Sequence, residues 1–199
     1  MTVFFLFNIM LIVPENFYTY SILSVDPGLN RTGVSCYTLN QDNQILCIQS
    51  QTLFNERLSN NVITDEEYYP ERVVKLQRLR KAFQELIRTT HPCFVVCESP
   101  FYNRFRPMAY GALLEVLSMI QLSILDVNVN IPFRTVEPLL VKKTVGAGMM
   151  KGKLDVKASI SNIPVIMSVL RNNLDTLDEH AIDSIAVGYT FLKIQGALK

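Results

Sequence analysis

The sequence predicts an α/β protein in which helices flank a mixed β-sheet. Short apolar or alternating segments, typical of strands, are interspersed with longer segments whose apolar residues recur at helical spacing. Their order along the chain is β-β-β-α-β-α-β, followed by short helices and a long final helix, and this order implies a mixed sheet covered by helices. With 199 residues, the chain is long enough for one domain with a substantial core.

Five strands are predicted at residues 21–25, 32–39, 45–53, 94–97 and 131–136. The first is a short apolar run that ends at the turn signal Asp26-Pro27-Gly28, and with the next two it resembles a β-meander. The run 94–97 is continuously apolar, as expected of a central strand that is covered on both faces.

Helices are predicted at residues 70–88, at 108–125 and from about 178 to 195, with short helices and loops over 139–173. The helix 70–88 is amphipathic, whereas 108–125 is apolar nearly all round. A helix that covers a sheet needs only one apolar face. The second apolar face of 108–125 therefore predicts a symmetric homodimer through this helix.

The N-terminal residues are predicted to form an apolar extension, 1–19, ahead of a domain over 20–199. The apolar run 3–13 is shorter than the roughly 20 residues that a membrane-spanning helix requires. It also lacks the basic region and the cleavage pattern of a signal peptide. We expect an extra strand, an interaction tail or an over-extended start, and no membrane partner.

The charge is small overall, +1, but unevenly distributed. Five lysines and a single acid lie between Lys142 and Lys157, and four acids without Lys or Arg lie between Asp175 and Asp183. This pattern suits a protein that binds phosphates and concentrates cations, although two solvated surface patches would give the same pattern.

The cysteines predict free thiols in a reducing, intracellular compartment rather than disulfides. No Cys-x-x-Cys pair exists, and the four residues lie in apolar, strand-like runs at Cys36, Cys47, Cys93 and Cys97. The two histidines, His91 and His180, are too few and too far apart for a His-based zinc site.

Acidic residues at the ends of buried strands are the strongest functional signal. Asp26 and Glu98 each follow a strand, while His180 and Asp183 lie three residues apart on one face of the last helix. Carboxylates brought together repel one another unless they bind protons or a cation. Oxygen ligands favour Mg²⁺ or Mn²⁺, and two such ions can support phosphodiester cleavage.

These residues resemble the motifs of RuvC-type Holliday-junction resolvases, in the ribonuclease H-like superfamily, over roughly residues 20–191. The segment 25–33, Val-Asp-Pro-Gly-Leu-Asn-Arg-Thr-Gly, matches the opening motif with its metal-binding Asp. Glu98-Ser99-Pro100-Phe101 matches the second motif, which implies a catalytic Glu98 and a Phe101 that engages DNA bases. The match of 178–189 to the last motif implies that Asp183 and its neighbour three residues earlier are ligands. The resemblance implies a ribonuclease H-like five-stranded sheet.

The third motif concerns the lysines. Val141-Lys142-Lys143-Thr144-Val145, followed by two glycines and Lys153, resembles the segment that the family uses against the DNA backbone near the scissile phosphate. The resemblance implies that Lys142 and Lys153 act there, and the spacing leaves Lys151 as a rival to Lys153.

The chain departs from the family at His180, where an acid is common. A neutral imidazole can bind Mn²⁺ or Mg²⁺ or position the attacking water. Glu179 is the alternative ligand, although it could instead form a capping box with Thr176. Asp178 could complement the helix dipole.

The loop that follows Glu98 is rich in aromatic and basic side chains. Phe101, Tyr102, Arg104 and Phe105 together form a plausible stacking and phosphate-binding surface. We expect Phe101 and Arg104 to contact DNA. The alternative for Phe101 is that it is an ordinary core aromatic.

The expected function is a homodimeric, metal-dependent endonuclease that resolves four-way junctions by paired symmetric nicks leaving 5′-phosphate and 3′-hydroxyl ends. It would act in a cytoplasm or an organelle that contains DNA. A broader branched-DNA or flap endonuclease and a catalytically silent junction-binding module remain open. The opening motif is also similar to the phosphate loop of actin-like sugar kinases, but those need two such domains and a longer chain.

Overall fold

The fold was analysed in a computed structural model that describes residues 2–6, 9–13, 19–55, 69–102, 104–105, 107–147 and 156–198. The strands are β1 (Thr2–Leu6), β2 (Ile9–Val13), β3 (Thr19–Asp26), β4 (Arg31–Asn40), β5 (Ile45–Phe54), β6 (Phe94–Glu98) and β7 (Phe133–Val136). The helices are α1 (Glu71–Thr90), α2 (Pro107–Val127), α3 (Pro138–Val145), α4 (Val156–Ser161), α5 (Pro164–Val169) and α6 (Glu179–Ile194), with a short 3₁₀ turn at Leu174–Thr176.

Five strands form one mixed sheet in the order β5-β4-β3-β6-β7. The first three are antiparallel neighbours, whereas β6 and β7 run parallel to β3 because helices connect them to the preceding strands. The predicted mixed sheet with flanking helices is therefore confirmed. β1 and β2 form a separate antiparallel pair, and the role of the N-terminal extension stays a prediction.

Alternation along the strands divides the core into two layers. Leu23 and Val25 point to one side of the sheet, where they pack with Phe83 of α1 and Ile120 of α2. Alternate residues such as Ile22 point to the other side and pack with α6 and the shorter helices. The predicted central strand is confirmed, because Phe94–Cys97 is buried throughout.

Small side chains allow α6 to lie very close to the sheet. Ser24 Oγ donates to the carbonyl of Ser184 at 2.8 Å, and Ser35 Oγ lies 2.6 Å from Ser184 Oγ. A Cβ atom added to Gly33 would lie 1.8 Å from the carbonyl oxygen of His180. Only glycine at position 33 permits this approach, which fixes the first turn of α6 above the end of β3.

Helix α2 is buried on one face only. Val116, Ile120 and Ile124 belong to the core beneath α1, whereas Leu122 and Leu125 on another face are exposed. The helix is therefore not wholly enclosed by the monomer. By length and composition alone it could also cross a membrane, since it has 21 residues and a mean hydropathy of 1.6.

The N-terminus of α6 departs from one of the alternatives raised by the sequence. The helix is capped by Asp178, whose carboxylate accepts a hydrogen bond from the backbone N–H of Ala181 at 3.0 Å. Thr176 donates instead to the carbonyl of Asn173, so a capping box between Thr176 and Glu179 is wrong. The helix begins two residues after the position that a Thr176 cap would require, so Asp178 and not Thr176 is the residue that reaches the free N–H groups.

Other expectations differ in smaller ways. The fifth strand begins at Phe133 rather than at 131. Within the segment 139–173 the structure describes residues 139–147 and 156–173, and these include the short helices α3, α4 and α5. Val187 and Phe191 pack α6 on the sheet as expected, but Ile194, the last residue of the helix, is exposed. All four cysteines are free, although only Cys97 is fully buried.

Candidate metal centre

Two candidate carboxylates lie side by side because their strands are parallel neighbours. β3 and β6 pair in register, with Val25 opposite Cys97, so the next residues, Asp26 and Glu98, come together at the same edge of the sheet. Both strands are deeply buried up to this point, and the backbone therefore holds the two acids in a fixed position.

Helix α6 contributes the other two candidates. Its first turns lie over this edge, and His180 Nδ1 lies 2.8 Å from Asp26 Oδ2. Asp183 lies three residues after His180, so it is on the same face of the helix and toward the same edge. The structure thus brings Asp26, Glu98, His180 and Asp183 together from three separate elements.

The pKa values of Glu98 and Asp183 are raised by burial and by the neighbouring acids. Burial, together with the nearby charges of Asp26 and Asp183, raises the pKa of Glu98 to about 7. Burial likewise raises the pKa of Asp183 to about 7, with additional repulsion from Asp26 and Glu179. At neutral pH this cluster holds more negative charge than its own surroundings compensate.

The Asp26–His180 contact places a basic side chain against the acidic cluster. The hydrogen bond that His180 donates to Asp26 raises the pKa of His180, which favours the imidazolium form. Burial raises the pKa of Asp26, and the hydrogen bond with His180 opposes this effect. A protonated His180 therefore supplies some of the positive charge that the cluster attracts.

The donor set fits a hard divalent cation by its chemistry. Three carboxylates at one sheet edge, with mutual repulsion, are the oxygen ligands that Mg²⁺ and Mn²⁺ prefer. Within the residues that the structure describes, no three His, Cys, Asp or Glu side chains already stand in positions that could hold a metal ion. In this arrangement Asp26 is directed toward His180 instead.

Glu179, the alternative to His180, is placed differently. Its side chain is exposed, and the structure shows its charge raising the pKa of Asp26 and of Asp183 from a distance. The imidazole of His180, by contrast, contacts Asp26 directly. The geometry favours His180 as the fourth member of the cluster.

Of the two candidate lysines that the structure describes, Lys142 is the one whose charge affects the carboxylates. It lies on α3 and lowers the pKa of both Glu98 and Asp183, against the larger effect of burial. Lys143 is exposed on the same helix. Lys151 and Lys153 lie outside the described residues, so the choice between them stays a prediction.

The loop after β6 presents aromatic rings to solvent. Phe101 is 64% exposed, which excludes an ordinary core position, and Phe105 is more exposed still. The Arg104 guanidinium lies 4.7 Å from the centre of the Phe105 ring, and Tyr102 packs edge-on against Tyr110 of α2 at 5.4 Å. The expected surface of aromatic and basic side chains is therefore present beside Glu98.

Two residues that position the cluster were missed from the sequence. Gly33 allows His180 to approach β4, and Thr52 donates a hydrogen bond to Asp178, the residue that caps α6. A glycine inside a predicted strand is a known signal of close backbone approach, and it could have identified Gly33. Nothing local marks Thr52, because its partner lies far away in sequence.

The five-stranded mixed sheet in the order β5-β4-β3-β6-β7, with helices on both faces, is a ribonuclease H-like fold. Solved structures show the same fold at low sequence identity. RuvC from Thermus thermophilus superposes with a TM-score of 0.61 at 17% identity, covering 90% of this chain and 98% of that one. The same protein in complex with a Holliday-junction substrate gives 0.59 at 15% identity, with the same coverage.

A eukaryotic structure is similar to the same extent. The yeast mitochondrial Holliday-junction resolvase Ydc2 superposes with a TM-score of 0.64 at 14% identity, covering 92% of this chain and 82% of that one. No protein-family model matches the sequence, and no curated protein matches it significantly. The resemblance seen in the sequence motifs is thus confirmed at the level of the fold.

Proposed function

We propose that this protein is a metal-dependent, structure-selective DNA endonuclease that resolves four-way junctions. The observation that carries the proposal is the convergence of Asp26, Glu98 and Asp183 at one sheet edge, with raised pKa values at Glu98 and Asp183. The fold supports it, since it is shared with two Holliday-junction resolvases, one of them solved with its junction substrate.

The cluster would hold the metal. Asp26, Glu98 and Asp183 would provide oxygen ligands and His180 a nitrogen ligand for Mg²⁺, with two ions per site and with Mn²⁺ as a substitute. Such ions supply activation of the attacking water and stabilisation of the leaving oxygen in phosphodiester cleavage. Water attack on phosphorus would leave a 5′-phosphate and a 3′-hydroxyl.

The contact of His180 with Asp26 leaves one ring nitrogen for either of two roles. The bond to Asp26 uses Nδ1 and orients the ring, as a carboxylate commonly orients a functional histidine. The other nitrogen, Nε2, would then either bind the metal or accept a proton from the attacking water.

Basic and aromatic side chains would hold the DNA. Lys142 and Lys153 would neutralise charge that develops at the reacting phosphate, since the charge of Lys142 already reaches Glu98 and Asp183. Lys143, Lys151 and Arg104 would contact the phosphate backbone. Phe101 would stack on a base at the branch point, where bases are accessible.

Paired nicks require two sites, and the exposed face of α2 would supply the dimer. Leu114, Leu122 and Leu125 leave apolar surface in solvent on the side of α2 that faces away from its own core. A two-fold axis at this helix would bury the face against its copy and present two metal centres to symmetric strands.

The test is cleavage of a synthetic four-way junction by the full chain with Mg²⁺ or Mn²⁺. We expect symmetric nicks with 5′-phosphate ends in two opposing strands, and little cutting of linear duplex of the same sequence. A two-armed flap cut as fast as the junction would indicate the broader branched-DNA endonuclease instead. Tight junction binding without cutting under either ion would indicate a silent binding module.

A further inference from the structure

A second aromatic–arginine pair lies at the edge of the sheet that carries the carboxylates. Arg31 begins β4, Phe54 ends β5, and the two residues are directly opposite in the antiparallel register. The Arg31 guanidinium lies 5.5 Å from the centre of the Phe54 ring, a distance at which a cation and an aromatic face attract each other. Phe54 is 60% exposed, although it lies in a regular strand.

The strand register places this pair on the face of the sheet that carries α6. Gly33 packs against the backbone of His180, and Arg31 lies two residues before it on β4. Side chains two residues apart in a strand point to the same face and lie about 7 Å apart. Arg31 therefore extends the surface just beyond the first turn of α6.

The same reasoning holds on β5. Thr52 donates a hydrogen bond to Asp178, the residue that caps α6, and Phe54 lies two residues after Thr52. Phe54 thus projects from the same face as Arg31, next to the end of the helix that carries His180.

The cluster of carboxylates lies between this pair and the loop that contains Phe101. In the sheet order β5-β4-β3-β6-β7, Asp26 and Glu98 end the third and fourth strands. The Phe101 loop follows β6 on one side, and the Arg31–Phe54 pair, at the start of β4 and the end of β5, lies on the other. A DNA strand that crosses the carboxylates would meet an aromatic ring on both sides.

Hydrogen bonds connect the segments around the pair. The side-chain amide of Asn55, which is buried, donates to the carbonyls of Leu29 and Lys75 at 3.0 and 2.8 Å. Lys75 Nζ in turn donates to Asn30 Oδ1 at 2.9 Å. These bonds tie the loop before β4 to the end of β5 and to α1, so the Phe54 backbone is fixed.

We propose that Phe54 and Arg31 bind an unstacked nucleotide of the substrate strand, on the side of the reacting phosphate opposite Phe101. The base would stack on the Phe54 ring, and the guanidinium would contact the adjoining phosphate. Bases inside a duplex are covered by their neighbours, so a branch point is where such a base becomes available. This inference rests on the proposed function, because it takes branched DNA as the ligand.

The test uses the absence of tryptophan from the sequence. Phe54→Trp introduces a single tryptophan at the proposed stacking position, and its fluorescence can be excited selectively because it absorbs at longer wavelengths than the eight tyrosines. Its emission should be quenched by a four-way junction, in metal-free buffer, at the DNA concentrations that saturate binding by fluorescence anisotropy. Leu46→Trp, on an exposed residue at the opposite end of β5, is the matched control and should not be quenched.

Affinity provides the second readout. Phe54→Ala should weaken junction binding roughly tenfold, within the range expected for the loss of one stacked base, while Leu46→Ala leaves it unchanged. Arg31→Gln should reduce the dependence of binding on salt by about one phosphate contact. Thermal unfolding of each variant separates loss of binding from loss of fold.

The outcomes separate this inference from the proposed function. Junction cleavage by the wild type, with no quenching of Phe54→Trp and full affinity of Phe54→Ala, would overturn the inference alone. Quenching and weakened binding without cleavage under any divalent ion would support the inference and overturn the nuclease. A wild type that binds no DNA would overturn both.

Discussion

The α-carbon of Gly33 faces the carbonyl oxygen of His180 so closely that an added Cβ would lie 1.8 Å from it. No side chain fits in this space, and backbone atoms cannot rotate away as a flexible side chain can. The absence of a side chain at one position of β4 therefore determines how near the first turn of α6, with His180 and Asp183, comes to Asp26.

Gly33→Ala should displace the first turn of α6 and separate His180 from Asp26. We expect a loss of stability of about 2–4 kcal/mol, typical of overpacking against backbone, together with at least a hundredfold loss of junction cleavage. The measurement is chemical denaturation and single-turnover cleavage of the same preparation.

Gly111→Ala is the matched control. Gly111 lies within helix α2, and a Cβ added there meets nothing within 4 Å. Because alanine favours helices by about 1 kcal/mol over glycine, this variant should be as stable as the wild type or more stable. Equal effects of the two substitutions would contradict the assigned role of Gly33.

The metal-free protein should be more stable at pH 5.5 than at pH 8. Glu98 and Asp183 have folded-state pKa values raised to about 7, so the folded state binds protons that the unfolded state releases, and stability falls as pH rises from about 4 to 7. His180, with its raised pKa, acts in the same direction, because its favourable bond as imidazolium is lost as pH rises through the folded pKa.

Thermal unfolding in a chelating buffer measures this effect. We expect the melting temperature to fall by about 5–10 °C between pH 5.5 and 8, and Mg²⁺ or Mn²⁺ at pH 8 to restore much of it. Asp183→Asn should flatten the profile, whereas Asp42→Asn, on an exposed turn far from the site, should not. A profile that rises from pH 5.5 to 8 would count against the clustered carboxylates.

His180 should determine the tolerance for Mn²⁺. Imidazole nitrogen suits Mn²⁺ better than Mg²⁺, so His180→Asp should retain cleavage with Mg²⁺ and lose any advantage with Mn²⁺. His180→Ala should reduce cleavage at least tenfold with both ions, and Glu179→Gln should have little effect, since Glu179 is exposed. Cleavage rates across a titration of each ion decide between the two residues, and a larger loss in Glu179→Gln would favour Glu179.

The exposed face of α2 should hold two copies together. Leu122→Asp, at a position that is 45% exposed in the monomer, should convert a dimer to a folded monomer. Leu46→Asp, at a similarly exposed position on β5, should leave the dimer intact. Sedimentation velocity gives the result, and a wild type that sediments as a monomer would rule out this interface.

The order of the elements could be predicted from the sequence because periodicity reports local burial. The continuous apolar run before Glu98 indicated a central strand. The apolar residues on nearly all sides of α2 indicated a second apolar face that the monomer does not bury. The candidate acids could be predicted for the same reason, since a charged residue directly after a buried strand, such as Asp26, lies at the sheet edge.

Contacts between distant segments could not be predicted in the same way. The Thr52–Asp178 and Asp26–His180 bonds join residues separated by more than 100 positions, and they depend on how closely α6 lies on the sheet. The pairing of Arg31 with Phe54 depends on the register of β4 and β5, which their alternating pattern leaves open.

The most direct test of the metal centre is cleavage of a four-way junction by Asp26→Asn. The substitution keeps the size of the side chain and removes its charge, so junction binding measured by anisotropy should stay within about twofold of the wild type. Single-turnover cleavage with Mg²⁺ or Mn²⁺ should fall by a factor of at least about 1000. Cleavage by Asp26→Asn at the wild-type rate would contradict the assignment of the carboxylate cluster as the catalytic centre.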